Sequence, residues 1–132
     1  KTQYHIVWVT RYRRKILAQG VAEYFKKAIK EVREFYPDWY MEEVGVDGDH
    51  VHLCVVIPPR YSISKVVETM KSISSMRLKE KFPHFLKKIY WDDGGIWARG
   101  FFVSTVGIDE ATIRRYVRYQ GQQDAGQAKL EL

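Results

Sequence analysis

The run GDHVHLCVVIPP at residues 48 to 59 limits the fold more than any other stretch of this sequence. Extended backbone sends alternate side chains to opposite faces, so Val51, Leu53, Val55 and Ile57 form one continuous apolar row. His50, His52, Cys54 and Val56 form the other. One face of this strand must be covered by core, while the other begins with two imidazoles close enough to converge on a single point. Pro58 and Pro59, which cannot donate to a sheet ladder, stop the strand.

The rest of the chain supplies partners for that strand. YHIVWVT, residues 4 to 10, reads as a strand running into the basic cluster RYRRK at 11 to 15. From Val21, apolar residues recur at Tyr24, Phe25, Ala28, Ile29, Val32 and Phe35, the spacing of an amphipathic helix ended by Pro37. WYMEEVGV, 39 to 46, predicts a strand, and the turn cluster VDGD at 46 to 49 joins it to the histidine strand as a hairpin. Ile63, Val66, Val67, Met70 and Ile73 mark a second helix, with Lys65, Lys71 and Lys79 expected on its outer surface. After a DDGG loop, IWARGFFVSTVG at 96 to 107 predicts a strand broken at Gly100. DEATIRRYVRYQ then forms a third helix capped by Asp109.

This order of elements is a split βαβ unit with one helix appended. The expected fold is α+β, a ferredoxin-like or RRM-like antiparallel sheet covered by helices, with an additional C-terminal helix that carries a tyrosine. At 132 residues, 45% of them hydrophobic, the chain suits one domain spanning residues 1 to 132, with about 121 to 132 as a polar C-terminal tail. No apolar stretch approaches the roughly 20 residues of a membrane span, and no secretory leader is visible. Cys54 is the single cysteine, which excludes an internal disulfide and a multi-cysteine zinc finger and fits a cytoplasmic location. A formal charge of +6 favours a polyanionic partner, nucleic acid first.

Several chemistries use paired histidines. A structural zinc would need two more nitrogen or sulfur ligands, and His5 and His84 are not at finger spacing. A histidine-triad hydrolase would carry a third histidine where Cys54 stands, and phosphodiesterases with two separated histidine pairs need a second pair that is absent. A divalent cation held against a phosphate, with open positions for substrate oxygens, fits the pair. On the last helix, Ile113, Tyr116, Val117 and Gln120 follow steps of three and four and share a face. A buried glutamine amide costs about 1 to 3 kcal/mol without partners, and a cation could accept its carbonyl oxygen, which would place Tyr116 one turn away beside the same ion. Tyr119 falls on another side of the helix.

The HVH strand at 50 to 52, preceded by Asp49 and followed by LCVVIPPRYS, resembles the single-tyrosine HUH transposases of the insertion-sequence two-hundred type when read together with Tyr116 and Gln120. YHIVWVTRYRRKIL and WARGFFVSTVG are also similar to that family, so the resemblance spans nearly the whole chain. It implies a metal-dependent DNA transposase that cleaves and rejoins single-stranded DNA. Tyr116 would be the nucleophile forming a 5′ phosphotyrosine link. His50, His52 and Gln120 would hold Mg²⁺ or Mn²⁺. The implied partners are single-stranded DNA with hairpin ends and a second copy of the chain in a homodimer, with active sites that family members can share between subunits. Relatives more often carry proline where this chain has Gly48.

Candidate DNA contacts are Arg11, Arg13, Arg14 and Lys15 after the first strand and Lys65, Lys71, Arg77, Lys79 and Lys81 on or beyond the second helix, acting together on phosphates. Tyr12, Phe82 and Trp91 are candidates for stacking on bases, with core packing the default for each. Two rival readings are a domesticated hairpin nuclease with the same site and, from another class, a non-catalytic RRM-like module. The second would want a glycine-rich aromatic strand, which FFVSTVG imitates poorly, and would leave Gln120 without a purpose.

Overall fold

Residues 2–92 and 94–131 are described by a computed structural model, in which four strands form one antiparallel sheet. The strands are β1 (Thr2–Val9), β2 (Tyr40–Asp47), β3 (His50–Ile57) and β4 (Phe102–Ser104), in the order β2-β3-β1-β4. Four helices accompany them: α1 (Gln19–Glu31), α2 (Ile63–Lys81), α3 (Pro83–Ile89) and α4 (Glu110–Glu131). This is the expected α+β arrangement.

The alternation in β3 decides which side the helices cover. Val51, Leu53, Val55 and Ile57 are buried, and with Ile6 and Trp8 of β1 they meet Phe25 and Ile29 of α1 and Val66, Met70 and Leu78 of α2 in one core. Trp8, Phe25 and Trp97 meet edge to face with ring centroids 5.4 to 6.3 Å apart, a packing geometry that adds to their area burial. The Ser62 hydroxyl caps α2 by accepting from the Lys65 amide at 3.2 Å, satisfying an otherwise orphaned donor.

Four local readings change. The first helix gives way at Glu31 to a 3-10 turn over Val32–Glu34, so it ends before Pro37. The short helix α3 was not expected; Pro83 occupies its first turn, where a missing N–H costs nothing. The strand predicted over 96 to 107 is only Phe102–Ser104. Trp97 makes a single bridge to Thr10, and Gly100, at φ +84°, takes the backbone away from β1 before β4 resumes the pairing. The backbone of α4 runs through residues 121–131, the segment read as a polar tail.

The hairpin between β2 and β3 turns through Gly48 and Asp49, with Gly48 at φ +59°. Proline is locked near φ −65° and could not take this conformation. A proline at this position would therefore require a different turn. Gly48 and Leu17 exchange two backbone hydrogen bonds of 2.9 and 3.2 Å, which pin the turn to the segment before α1.

Candidate active site

The second face of the sheet carries the histidines. Residues in register share a face, which places His5 opposite Cys54, Val7 opposite His52 and Val9 opposite His50. Phe102 of β4 lies opposite Val7. His52, Val7 and Phe102 thus form one row across three strands, roughly 10 Å from end to end at ordinary strand spacing.

His50 and His52 differ in their surroundings. His50 Nδ1 lies 3.0 Å from Asp49 Oδ1, the carboxylate–imidazole contact that fixes a ring and leaves Nε2 to act as a ligand. His52 Nε2 is buried with no hydrogen-bond partner, a costly state for a polar atom that nothing else employs. Burial first, and then the neighbouring His5, hold the His52 imidazolium below its ordinary pKa, so the ring favours the neutral form that a metal requires. The His5 and His52 rings are tilted with centroids 5.8 Å apart. His5 was missed as a member of this cluster, although its alternation with Val7 and Val9 in the first strand was visible.

Helix α4 crosses this face at the Val9 end. Asp109 Oδ1 accepts from the Thr112 amide at 2.7 Å, so the cap is where the sequence placed it. Val117 joins Val9 and Ala98 in a small apolar cluster against which Ile113 and Tyr116 pack. Gln120, on the same side, is buried and its Nε2 donates to the Arg99 carbonyl at 2.8 Å. Tyr116 is half buried, with its ring 6.0 Å from that of Phe102 and its hydroxyl close to Gly100. It therefore stands over the far end of the row that begins at His52. Tyr119 is 56% exposed.

A cavity of about 500 Å³ opens where His50 and Asp49 face α4, lined also by Val117, Arg114, Arg115 and Arg118. These arginines were not among the residues singled out from sequence, because their helical face becomes meaningful only once α4 is set beside His50. Among the described residues no three His, Cys, Asp or Glu side chains gather as a metal site. A cation here would have two imidazoles and would need oxygen ligands from Gln120, water or a phosphate. The chemistry of the donors fits a hydrated divalent ion, and the unpartnered His52 nitrogen fits a missing ligand.

The expected DNA-contacting residues divide into two groups. Arg13, Arg14, Lys15 and Lys65 are exposed. The others are engaged within the fold. Arg11 pairs with both carboxylate oxygens of Asp92 at 2.6 and 3.0 Å, which raises the guanidinium pKa further. Arg77 pairs with Glu31. Lys79 donates to the Gly94 carbonyl at 2.9 Å, and the Lys81 ammonium sits 5.7 Å from the Tyr24 ring centre. Lys71 turns inward rather than outward and donates to the carbonyls of Ala98 and Gly100 at 2.8 and 2.7 Å, and its burial lowers the pKa to about 8. Lys71 and Gln120 thus grip residues 98–100 from two helices.

A family model described as "Transposase IS200 like" matches residues 1–120. The transposase for insertion sequence element IS200 of Salmonella typhimurium is 30% identical over 125 residues, 92% of this chain and 78% of that protein. The ISDra2 transposase TnpA of Deinococcus radiodurans is 26% identical over 119 residues, covering 89% of this chain and 83% of its own length. Among solved structures, a candidate transposase from Deinococcus radiodurans aligns with a TM-score of 0.76 at 29% identity, covering 89% of each chain. A REP-associated tyrosine transposase bound to a REP hairpin shares the fold, with a TM-score of 0.53 at 16% identity over 89% of this chain and 63% of that one.

Proposed function

The chain belongs to the IS200-like transposase family, and we propose that it cuts and rejoins single-stranded DNA beside hairpins, with Tyr116 as nucleophile and His50, His52 and Gln120 as ligands of Mg²⁺ or Mn²⁺. The observation that carries this reading is the buried, unpartnered Nε2 of His52 beside an Asp49-anchored His50, on the face that α4 crosses. A bound divalent cation would polarise the phosphate and neutralise charge developing on its oxygens. Arg114, Arg115 and Arg118 line the cavity beside His50 and suit flanking phosphates.

In the step itself, the Tyr116 oxygen attacks phosphorus, an O–P bond forms, and the bond from phosphorus to the 3′ oxygen breaks. The phenolic proton is balanced by the proton gained on the departing 3′ hydroxyl. The 5′ phosphate stays on Tyr116 until another 3′ hydroxyl attacks it, so the strand reseals without an external energy source. A phenol has an ordinary pKa near 10, which is why the attack needs a polarised phosphate.

Tyr116 packs beside Phe102 and Val9 on the face that carries His50 and His52, so nucleophile and ligands would meet within one chain or through the α4 of a second copy. The homodimer reading is supported by β4, which is an edge strand with Val103 exposed and Val106 exposed beyond it, a template for pairing with another chain. No helix among the described residues is long and apolar enough to cross a membrane.

The decisive experiment incubates the protein with a labelled single-stranded hairpin oligonucleotide and Mn²⁺ and looks for a covalent adduct that survives denaturant. Tyr116→Phe should remove the adduct while binding persists, and Tyr119→Phe should keep it. Retention of the adduct in Tyr116→Phe would end the reading. Mixing Tyr116→Phe with His52→Ala restores the adduct where the site is shared between subunits and stays silent where each chain serves its own.

A further inference from the structure

Of the four tryptophans, Trp8 and Trp39 are fully buried and Trp97 is 9% exposed, whereas Trp91 is 87% exposed. The default expectation of core packing therefore fails at Trp91. Its indole borders a shallow depression of about 320 Å³ that Arg14, Lys15, Lys88 and Ile89 also line. Arg14, Lys15 and Lys88 are exposed and have no acidic partner among the described residues. Asp92, next in sequence to Trp91, is committed to Arg11.

The platform is rigid. The Tyr90 hydroxyl donates to the Arg11 carbonyl at 2.8 Å, and the Thr10 hydroxyl donates to the Arg14 carbonyl at 2.7 Å. With the Arg11–Asp92 pair, these bonds lock residues 10–15 to residues 90–92. Tyr12 and Arg13 hold left-handed backbone at φ 58° and 51°, a conformation that costs non-glycine residues free energy and is retained where surroundings impose it. Lys15 in turn lies against Gly48, two residues before His50, so the platform continues from the turn that opens the histidine strand.

We propose that Trp91 is a stacking platform for an unpaired base of the DNA, with Arg14, Lys15 and Lys88 holding the phosphates on either side. Every base offers a π face to an indole, and an adjacent cluster of cations follows the backbone. Charge selects this occupant over a second copy of the chain, because two such patches face to face would bring six cations together. The inference rests on the reading that the protein handles single-stranded DNA and assigns that DNA a contact away from the histidines.

The test uses Tyr116→Phe protein, which cannot form the adduct, so its outcome is independent of the adduct experiment. Tryptophan emission is followed while a single-stranded oligonucleotide, or the duplex of the same sequence, is added. The single strand should quench emission, and Trp91→Phe should remove the response. Trp91→Ala should weaken single-strand binding about tenfold, with Trp91→Phe in between. Replacing Arg14, Lys15 and Lys88 by alanine together should reduce the slope of log affinity against log salt by about 2. Equal affinity for Trp91→Ala and the parent, equal quenching by duplex, or emission changes that follow protein concentration without DNA would each overturn the proposal. Quenching with no wild-type adduct would keep this proposal and remove the tyrosine reading.

Discussion

The two faces of the sheet are made by the same strands and treated in opposite ways. On one, Val51, Leu53, Val55 and Ile57 vanish beneath α1 and α2. On the other, His50 and His52 alternate with those residues, and two imidazole nitrogens, His52 Nε2 and His5 Nδ1, are left without a hydrogen bond. The helix-covered face gains stability from burial. On the proposed reading, the histidine face gives some of it up to keep ligands available. Neighbouring residues of one strand should therefore respond to truncation in different currencies, stability on one side and chemistry on the other.

The sharpest break in that contrast comes from His52. His52→Ala should lower adduct formation by at least about a hundredfold while leaving the unfolding midpoint nearly unchanged, as read by denaturant titration beside a gel assay. A large loss of stability instead would make His52 a core residue. Leu53→Ala, one position along, should cost about 2 to 5 kcal/mol in the same titration, because a buried side chain is replaced by a cavity. An effect below 1 kcal/mol would mean that the covered face is not closed.

Lys71 joins the two sides, reaching from α2 to the carbonyls of residues 98 and 100. Lys71→Met should destabilise the protein by about 1 to 2 kcal/mol by stranding those carbonyls. Its folded-state pKa of about 8 lies below the ordinary 10.5. Between these values the unfolded chain holds a proton that the folded chain has released, so this lysine makes stability rise with pH across that window and is neutral to pH below it. The advantage of wild type over Lys71→Met should thus widen from pH 8 to pH 10, and a narrowing would contradict the assignment. Tyr119→Phe marks the smallest effect, within about 0.5 kcal/mol of wild type and with the adduct intact.

The parts of the molecule that were legible in the sequence are those set by local periodicity. The alternation in β3 and the spacing of Ile113, Tyr116, Val117 and Gln120 both have one geometric solution, and both stand. The fate of charged residues was less legible. Arg11, Arg77 and Lys71 look like surface cations, but their partners Asp92, Glu31 and Gly100 lie 81, 46 and 29 positions away and meet them only after folding. The predicted strand at 96 to 107 shortens for a related reason. Its composition favours extended backbone, yet the carbonyls of residues 98–100 are claimed by Lys71 and Gln120 instead of by β1. Helix α3, seven residues long with one buried leucine, carries too little periodicity to be seen.

The amide of Gln120 has an orientation imposed on it. Its NH₂ arm is occupied by the Arg99 carbonyl, so the C=O arm cannot trade places with it without setting oxygen against oxygen. A glutamate at this position would bring a stronger oxygen donor for a hard cation, but one of its two anionic oxygens would face a carbonyl dipole. The position consequently selects an uncharged side chain with one end of each kind, and the polarity of that single group is dictated by a main-chain atom 21 residues earlier.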